Sequence, residues 1–287
     1  MRFILVIIFL ISSALLNAAT LEEHFTTLNS LSPHQPGSSN HTAVKNYIIA
    51  SLKKAGAIVD IREFSYTNPF LGPQKGFNII GTFSAGKTAV AFASHWDTRP
   101  VADQDMLASN HTKPVFGAND GNATTAILLA LADKLGQQKN NKETVHLIFF
   151  DAEDSGNSVE TFCIGAQRMA ASMPITIRFG ILIDMVGDKD LNINYEGNSY
   201  NAVPELCKKI WKTARTMGYT FFNDSVKHTV IDDHVPFLEK GIPFVDIIDF
   251  DYAAWHTVED KPANCSIPNM KKILSLLSSI AENSSSY

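Results

Sequence analysis

Residues 145–154, VHLIFFDAED, join a short and mostly apolar run to three acidic side chains. A run of this length without alternation is typical of a β-strand that is covered on both faces. Further strand candidates lie at residues 58–66, 77–82, 88–93, 179–183 and 244–248, and several of them are similar apolar runs. We therefore expect six strands in a mixed, mostly parallel central sheet.

Amphipathic helical patterns lie between and around these strands. Apolar residues recur at helical spacing in residues 41–54, 123–135, 164–171, 204–217 and 269–280. Thr20 and Glu23 have the spacing of a capping box, which predicts a short helix that begins there and precedes the other helices. Strands that alternate with helices predict an α/β fold, here a three-layer sandwich with helices on both faces of the sheet.

Length and composition are those of an ordinary globular protein. The chain has 287 residues, of which 45% are hydrophobic, and its 24 basic and 29 acidic side chains give a net charge of −5. A chain of this size buries about three quarters of its unfolded surface, so one core suffices for folding. The acidic balance and the lack of a Lys/Arg run argue against nucleic acid or a membrane surface as a partner. We expect residues 19–287 to form a single domain that acts as a monomer.

The first eighteen residues, MRFILVIIFLISSALLNA, are typical of a secretory signal peptide that is removed after Ala18. The alternative is an uncleaved anchor, but the apolar run is shorter than the roughly 20 residues that a spanning helix needs. Cleavage would leave an exported protein, secreted or periplasmic. There, Cys163, Cys207 and Cys265 could form at most one disulfide, and the sequence does not choose the pair.

Acidic and histidine side chains follow the predicted strands at the points where the strands end. Because the carboxyl ends of parallel strands meet at one edge of a sheet, we expect these side chains to converge. Carboxylate and imidazole groups without a thiolate are ligands typical of zinc. The residues are His95, Asp120, Glu153, Asp154, Asp184 and His256.

Each of these residues also has a structural explanation when it is considered alone. His95 could bond to a backbone carbonyl, Asp120 could cap the helix that follows it, and His256 could be a packed histidine. Asp184 could likewise cap a strand end. The set is harder to explain in this way, because unrelated residues would be scattered along the strands rather than gathered at their ends. We therefore interpret the set as one site.

Six motifs occur in the order HWD, GANDGN, FFDAED, LIDMVG, DDHVPFLEKGIP and WH. Together they resemble the zinc aminopeptidase-like clan, peptidase family M28, which contains the co-catalytic aminopeptidases and the animal-type glutaminyl cyclases. Within the clan, HWDTRPVADQD and the acid Asp232 beside Asp233 and His234 are most similar to glutaminyl cyclases, in particular their bacterial members. Aminopeptidases of the clan usually have a small hydroxyl residue in place of Asp232.

The resemblance implies that one zinc ion is bound by Asp120, Asp154 and His256. The position of Asp154 is most often Glu in the clan, so the ligand arm is shorter here. His95 and Asp184 match the second metal position of the two-zinc peptidases, whereas cyclases of this family are known for one zinc.

The resemblance also implies that Glu153 is the general acid and base, with Asp184 and Asp232 as its acidic partners. The neighbouring acids would raise the pKa of Glu153 and the zinc would lower it, and the sequence does not decide between these effects.

Aromatic side chains are candidates for the substrate pocket. Tyr252 and Trp255, just before His256, could wall a small pocket that admits one flat side chain. The alternative for Trp255 is a place in the core. Animal cyclases have a pocket tryptophan in the loop after the acidic pair, and in SGNSVETFC we expect Phe162 to take its place.

The implied reaction converts an N-terminal glutamine of a peptide or protein into pyroglutamate and releases ammonia. Ring closure is intramolecular, so the site has to fold the side chain back, polarise its amide carbonyl and move one proton. The alternative is an exported aminopeptidase, in which a second zinc on His95 and Asp184 would hold the substrate amine and Glu153 would deprotonate a water. A non-catalytic ectodomain would have broken motifs, and every candidate ligand is present.

Overall fold

The computed structural model describes residues 19–138, 143–172 and 176–287. Helix α1 (Leu21–Ser30) begins with the predicted capping box, because the hydroxyl of Thr20 accepts the N–H of Glu23 and the Glu23 carboxylate accepts the N–H of Thr20. Helix α2 (Ser39–Lys54) begins two residues before its predicted start and is capped by Ser38. The predicted signal peptide, residues 1–18, lies outside the described residues.

Six strands form the main sheet, as predicted. They are β1 (Ile58–Asn68), β2 (Gly72–Phe83), β3 (Ala89–His95), β4 (Thr144–Phe150), β5 (Phe179–Asp184) and β8 (Phe244–Ile248). Their order is β1-β2-β4-β3-β5-β8. The pairs β4/β3, β3/β5 and β5/β8 are parallel, whereas β1/β2 and β2/β4 are antiparallel. The predicted mixed, mostly parallel sheet is confirmed.

A second, two-stranded sheet is not predicted by the sequence. It pairs β6 (Ile193–Tyr195) with β7 (Phe222–Val226) in parallel. β6 is only three residues long, and β7, FNDSV, carries mostly polar side chains, so neither strand forms an apolar run. Helices α5 (Gly197–Ala202) and α7 (Val235–Leu238) also escape prediction, because each is too short to show a helical period.

Helices cover both faces of the main sheet. The remaining helices are α3 (Thr124–Gln137), α4 (Ile164–Ala171), α6 (Pro204–Thr216) and α8 (Ile267–Glu282). Val90 and Phe92 of β3 belong to a large apolar core with α1, α2, α3, α6 and α8. Ala91 and Ala93 of the same strand belong to a second core with α4 and α7. Because side chains alternate along a strand, β3 serves both cores, and the three-layer α/β sandwich is confirmed.

The carboxyl ends of β3, β4, β5 and β8 meet at one edge of the sheet. β3 ends at His95 and β5 ends at Asp184. The chain leaves β4 into the acidic segment 151–154 and leaves β8 toward His256. The candidate site residues therefore lie on the connections at this edge.

The three cysteines, Cys163, Cys207 and Cys265, are free thiols in the structure. Within the described ranges, no helix combines the length and the apolar character that crossing a membrane requires.

Candidate active site

Asp120, Asp154 and His256 form a buried cluster at the carboxyl edge of the sheet. One ligand atom of each residue lies within 4.8 Å of the others, and Nε2 of His256 is 2.8 Å from Oδ1 of Asp154. Oδ2 of Asp120 and Oδ2 of Asp154 are buried and have no hydrogen-bond partner among the described residues. Buried carboxylate oxygens are rarely left without a partner. Two carboxylates and an imidazole, with a fourth position left open, fit a catalytic zinc.

We call Asp120, Asp154 and His256 the zinc cluster. An irregular turn at residues 118–123 places the Asp120 side chain in it. Gly121 in the turn has a φ of 105°, and a Cβ at this position would lie 2.8 Å from the carbonyl oxygen of Asp97. Only glycine meets both conditions without strain. The carboxylate of Asp260 accepts the N–H of Asp120 at 3.2 Å. The turn is thus held from two sides.

The turn after β4 directs Glu153 and Asp154 toward the cluster. Ala152 has a φ of 59°, a left-handed conformation that is uncommon outside glycine and asparagine. The two carboxylate oxygens of Asp97 accept the N–H of Glu153 at 3.1 Å and that of Asp154 at 3.3 Å. One buried carboxylate therefore sets the direction of both acidic side chains.

Arg99 is a buried cation behind the cluster. Nη1 donates to the carbonyl oxygen of Asp154 at 3.1 Å, and Nη2 donates to Gly156 at 3.1 Å and to Asp103 at 2.6 Å. Burial works against ionisation of Asp154, but the charge and hydrogen bond of His256 and the charge of Arg99 outweigh it. The pKa of Asp154 is therefore held below its usual range. Asp154 stays an anion, as a metal ligand must.

Asp97, Arg99 and Asp260 have no predicted role, although all three lie against the cluster or its turns. Each follows His95 or His256 by two or four residues. That proximity is the signal that could have found them, because polar residues next to metal ligands commonly orient those ligands.

Glu153, Asp184 and Asp232 line one cavity together with the zinc cluster. Burial, and next the charge of Asp154, raises the pKa of Glu153 well above its usual value. Burial, and next the charge of Asp184, raises the pKa of Asp232 to about 6. The charge of His95 lowers the pKa of Glu153, but the net effect of the protein groups is to raise it, whereas a bound zinc would lower it. Glu153 is a group that can take up and return a proton.

The imidazole of His95 lies between Asp120 of the zinc cluster and Asp184. Nε2 of His95 lies 3.1 Å from Oδ1 of Asp120 and 3.2 Å from Oδ1 of Asp184. A second group, whose ligand atoms lie within 4.8 Å of one another, consists of His95, Asp120 and Asp184. Asp120 belongs to both groups, an arrangement that suits a carboxylate bridging two metal ions.

A cavity of about 450 Å³ opens over the cluster. Phe162 and Trp255 lie in its wall, and the Trp255 ring stacks on His256 with centroids 4.0 Å apart. Tyr252 is not among the described residues that line the cavity. Its buried hydroxyl instead donates to Oδ1 of Asp260 at 2.7 Å, which places Tyr252 behind the Asp120 turn. Apolar residues without a predicted role complete the wall: Val159, Val230, Ile231, Ile248 and Phe250.

The layered sheet and the carboxylate–histidine cluster at the ends of its parallel strands define a protein of the zinc-exopeptidase type. The sequence profile of peptidase family M28 matches residues 78–281, and the chain belongs to this family. The family membership that the motifs predict is confirmed.

Several proteins of similar structure or sequence are glutaminyl cyclases. The crystal structure of Porphyromonas gingivalis glutaminyl cyclase matches with a TM-score of 0.89 and 29% identity, over 93% of this chain and 98% of that chain. A leucine aminopeptidase precursor from Bacteroides thetaiotaomicron matches with a TM-score of 0.88 and 30% identity, over 93% of this chain and 99% of that one. Glutaminyl-peptide cyclotransferase of Drosophila melanogaster is 25% identical over 260 residues, 80% of this chain and 71% of its own length. The predicted resemblance to glutaminyl cyclases is confirmed.

Proposed function

We propose that the protein is a glutaminyl-peptide cyclotransferase, which converts the N-terminal glutamine of peptides and proteins into pyroglutamate and releases ammonia. The observation that carries the proposal is that Glu153 shares one cavity with a zinc-type cluster and with two further acids, Asp184 and Asp232. The similarity to glutaminyl cyclases over most of the chain supports it.

The reaction forms one C–N bond and breaks another. The α-amine of the substrate attacks the carbon of its own side-chain amide, and the amide nitrogen gains a proton and leaves as ammonia. Because the nucleophile belongs to the substrate, the protein has to hold the folded side chain and transfer one proton. A zinc ion held by Asp120, Asp154 and His256 would polarise the amide carbonyl and stabilise negative charge on its oxygen.

Glu153 is the residue that we assign to the proton transfer. Its carboxylate takes the proton from the attacking amine and returns it to the departing nitrogen. Burial and the charge of Asp154 favour the protonated form of Glu153, which helps it to retain the proton between these events. Asp184 and Asp232 act as its acidic partners.

The aromatic wall of the cavity would hold the glutamine side chain. Trp255, stacked on His256, offers a flat surface next to the zinc cluster, and Phe162 offers a second surface in the loop that follows Asp154. Tyr252 is assigned to support of the Asp120 turn in place of its predicted role in the pocket.

We further propose that residues 1–18 are a cleaved signal peptide and that residues 19–287 act as a single catalytic domain, secreted or periplasmic and monomeric. The apolar N-terminal run and the small residues that follow it support export. The substrates would then be exported or extracellular peptides, with neither nucleic acid nor a membrane as a partner.

A two-zinc aminopeptidase is the second candidate, and one observation favours it. His95, Asp120 and Asp184 form a second ligand group that shares Asp120 with the zinc cluster. In that enzyme, Glu153 would take its proton from a water molecule. The acid at Asp232 and the similarity to cyclases favour the cyclotransferase.

The test is to measure ammonia release from a glutaminyl dipeptide amide by the purified protein, beside cleavage of a leucine arylamide and a zinc titration after chelation. We expect ammonia without arylamide cleavage, restored by about one zinc per chain. The Glu153→Gln protein, prepared in the same way, controls for contaminating enzymes. Arylamide cleavage that requires two zinc ions would instead identify an aminopeptidase.

A further inference from the structure

Glu196 is a buried carboxylate behind the active-site cavity that accepts five hydrogen bonds. Oε1 accepts the N–H groups of Asn198 and Val230, and Oε2 accepts the N–H and hydroxyl of Ser199 and Nε2 of His234, the last at 2.9 Å. Burial works against ionisation, but the hydrogen bond and charge of His234 and the backbone donors outweigh it and lower the pKa of Glu196 to about 2. Glu196 is therefore an anion that accepts a hydrogen bond from the Nε2–H of His234.

The opposite side of the His234 ring faces two carboxyl groups. Nδ1 of His234, Oδ2 of Asp232 and both carboxyl oxygens of Asp246 are buried and lack a hydrogen-bond partner among the described residues. One ligand atom of each of the three residues lies within 4.8 Å of the others, and Nδ1 is 3.7 Å from Oδ2 of Asp246. Buried polar atoms without partners are rare, so their concentration here requires an explanation.

Asp246 lies in the layer next to the cavity. It belongs to β8, two residues before Ile248, which lines the cavity. Residues two apart on a strand point to the same face of the sheet, so Asp246 lies on the cavity side. Its N–H donates at 3.0 Å to the hydroxyl of Ser199, which itself donates to Glu196. The backbone of β8 is thereby tied to the same anion that holds His234.

A proton explains the adjacent unpartnered oxygens of Asp232 and Asp246 better than a metal ion does. The cavity reaches Asp232, but neither His234 nor Asp246 is among the described residues that line it, so a metal ion has no visible entry path. Burial, and next the charges of Asp232 and Glu196, raises the pKa of Asp246 well above its usual value. A proton on Asp246 supplies the donor that Asp232 lacks and removes one of the adjacent negative charges.

We propose that Asp246 is a positioning residue whose protonated carboxyl donates a hydrogen bond to Asp232, while the pair of His234 and Glu196 holds Asp246 in place. Asp246 touches neither the substrate nor the zinc cluster; it acts by fixing the direction of Asp232 beside Glu153. This inference rests on the proposed function, because it takes Asp232 as an acidic partner of Glu153.

Two variants of the same shape as aspartate test the proposal. Asp246→Asn keeps a neutral hydrogen-bond donor, whereas Asp246→Leu keeps the branched shape and removes all hydrogen bonding. We expect Asp246→Asn to retain kcat and Asp246→Leu to lower kcat about 10- to 100-fold, with KM and zinc content unchanged. Asp249→Asn is the matched control, since Asp249 is buried just after β8 but accepts the N–H groups of Asn192 and Asp251.

Infrared difference spectroscopy tests the protonation independently of activity. At pH 8, the difference between wild-type and Asp246→Asn proteins should contain the C=O band of a protonated carboxylic acid, which the difference for Asp249→Asn should lack. This measurement remains decisive if Asp246→Leu does not fold. It also remains decisive if the wild-type protein releases no ammonia, a result that would reject the proposed function but not the protonation of Asp246.

Three results would overturn the proposal. The first is the absence of the protonated-acid band, and the second is a loss of kcat in Asp246→Asn as large as in Asp246→Leu, which would make Asp246 a functional anion. The third is wild-type kcat in a folded Asp246→Leu protein.

Discussion

Nη1 of Arg99 lies 3.4 Å from Oδ1 of Asp154, and each of these side chains is only 2% exposed. The same guanidinium bonds to the backbone of Asp154 and Gly156 and to the carboxylate of Asp103. A planar group with several donors in a fixed fork can make these bonds at once, and a lysine ammonium cannot. Arg99 therefore orients a candidate zinc ligand as well as balancing its charge.

Replacement of Arg99 by Lys should lower zinc affinity about tenfold, because polar groups behind a metal ligand typically contribute 10- to 100-fold. The measurement is a competition titration of the apoprotein with a zinc-binding dye. Arg178→Lys is the control, since Arg178 pairs with Glu143 away from the cluster. Equal affinity of the Arg99→Lys and wild-type proteins would show that charge alone is needed at Arg99.

Glu153→Gln should lower kcat for ammonia release by at least about 100-fold while the protein still binds zinc, since the amide cannot carry the proton. Zinc content and turnover would be measured on the same preparation. Glu160→Gln is the control, because Glu160 is an exposed acid in the loop that follows. A near-normal rate, or loss of zinc from Glu153→Gln, would contradict the assigned role.

Gly121→Ala should weaken zinc binding and lower the free energy of unfolding by more than the ~1 kcal/mol expected for a left-handed alanine alone. The added Cβ would meet the carbonyl oxygen of Asp97 at 2.8 Å. Gly218→Ala separates the two effects, because Gly218 has a φ of 82° and no atom within 4 Å of its added Cβ. Urea unfolding and zinc titration of both variants provide the comparison. Equal losses in the two variants would exclude a specific role for the contact with Asp97.

Glu196→Gln should reduce the free energy of unfolding at pH 7 by on the order of 3 kcal/mol, from the lowering of the pKa of Glu196 from 4.5 to about 2. An acid whose pKa is lower in the folded than in the unfolded protein stabilises the fold at pH values above its unfolded pKa. This stabilisation is lost as the pH falls through its folded pKa. The difference from wild type should therefore be full above about pH 5 and shrink from pH 4.5 toward pH 2. Urea titrations across this range measure it, with the exposed Glu205→Gln as control. A difference that does not vary with pH would contradict the assignment.

The main sheet could be predicted because its central strands are buried on both faces and so form continuous apolar runs. The prediction is less accurate at the edge, where β2 begins at Gly72 rather than at residue 77. Residues 72–76, GPQKG, are polar and contain a proline, and they are in a strand because they pair with β1. Pairing of this kind depends on a partner distant in sequence, which a local pattern does not contain.

The candidate ligands could be predicted because they follow strands whose ends must meet. The residues that hold them could not, since Asp97 and Asp260 act through contacts that exist only after the strands are in register. Tyr252 illustrates the same limit: its closeness to His256 in sequence suggests the pocket, yet its hydroxyl reaches Asp260. A strand-end position predicts which edge a side chain approaches, but not which neighbour it contacts.

The three candidate ligands of the zinc cluster lie on three separate connections, and His256 follows the last strand of the main sheet. During synthesis, a chain that has not yet placed β8 beside β5 has Asp120 and Asp154 but not the imidazole. Arg99 and His95 already lie beside these two carboxylates, but a metal ion would find only two of its three candidate ligands. We therefore expect zinc uptake to require the C-terminal end of the chain, so that a bound metal would distinguish finished molecules from truncated or misregistered ones.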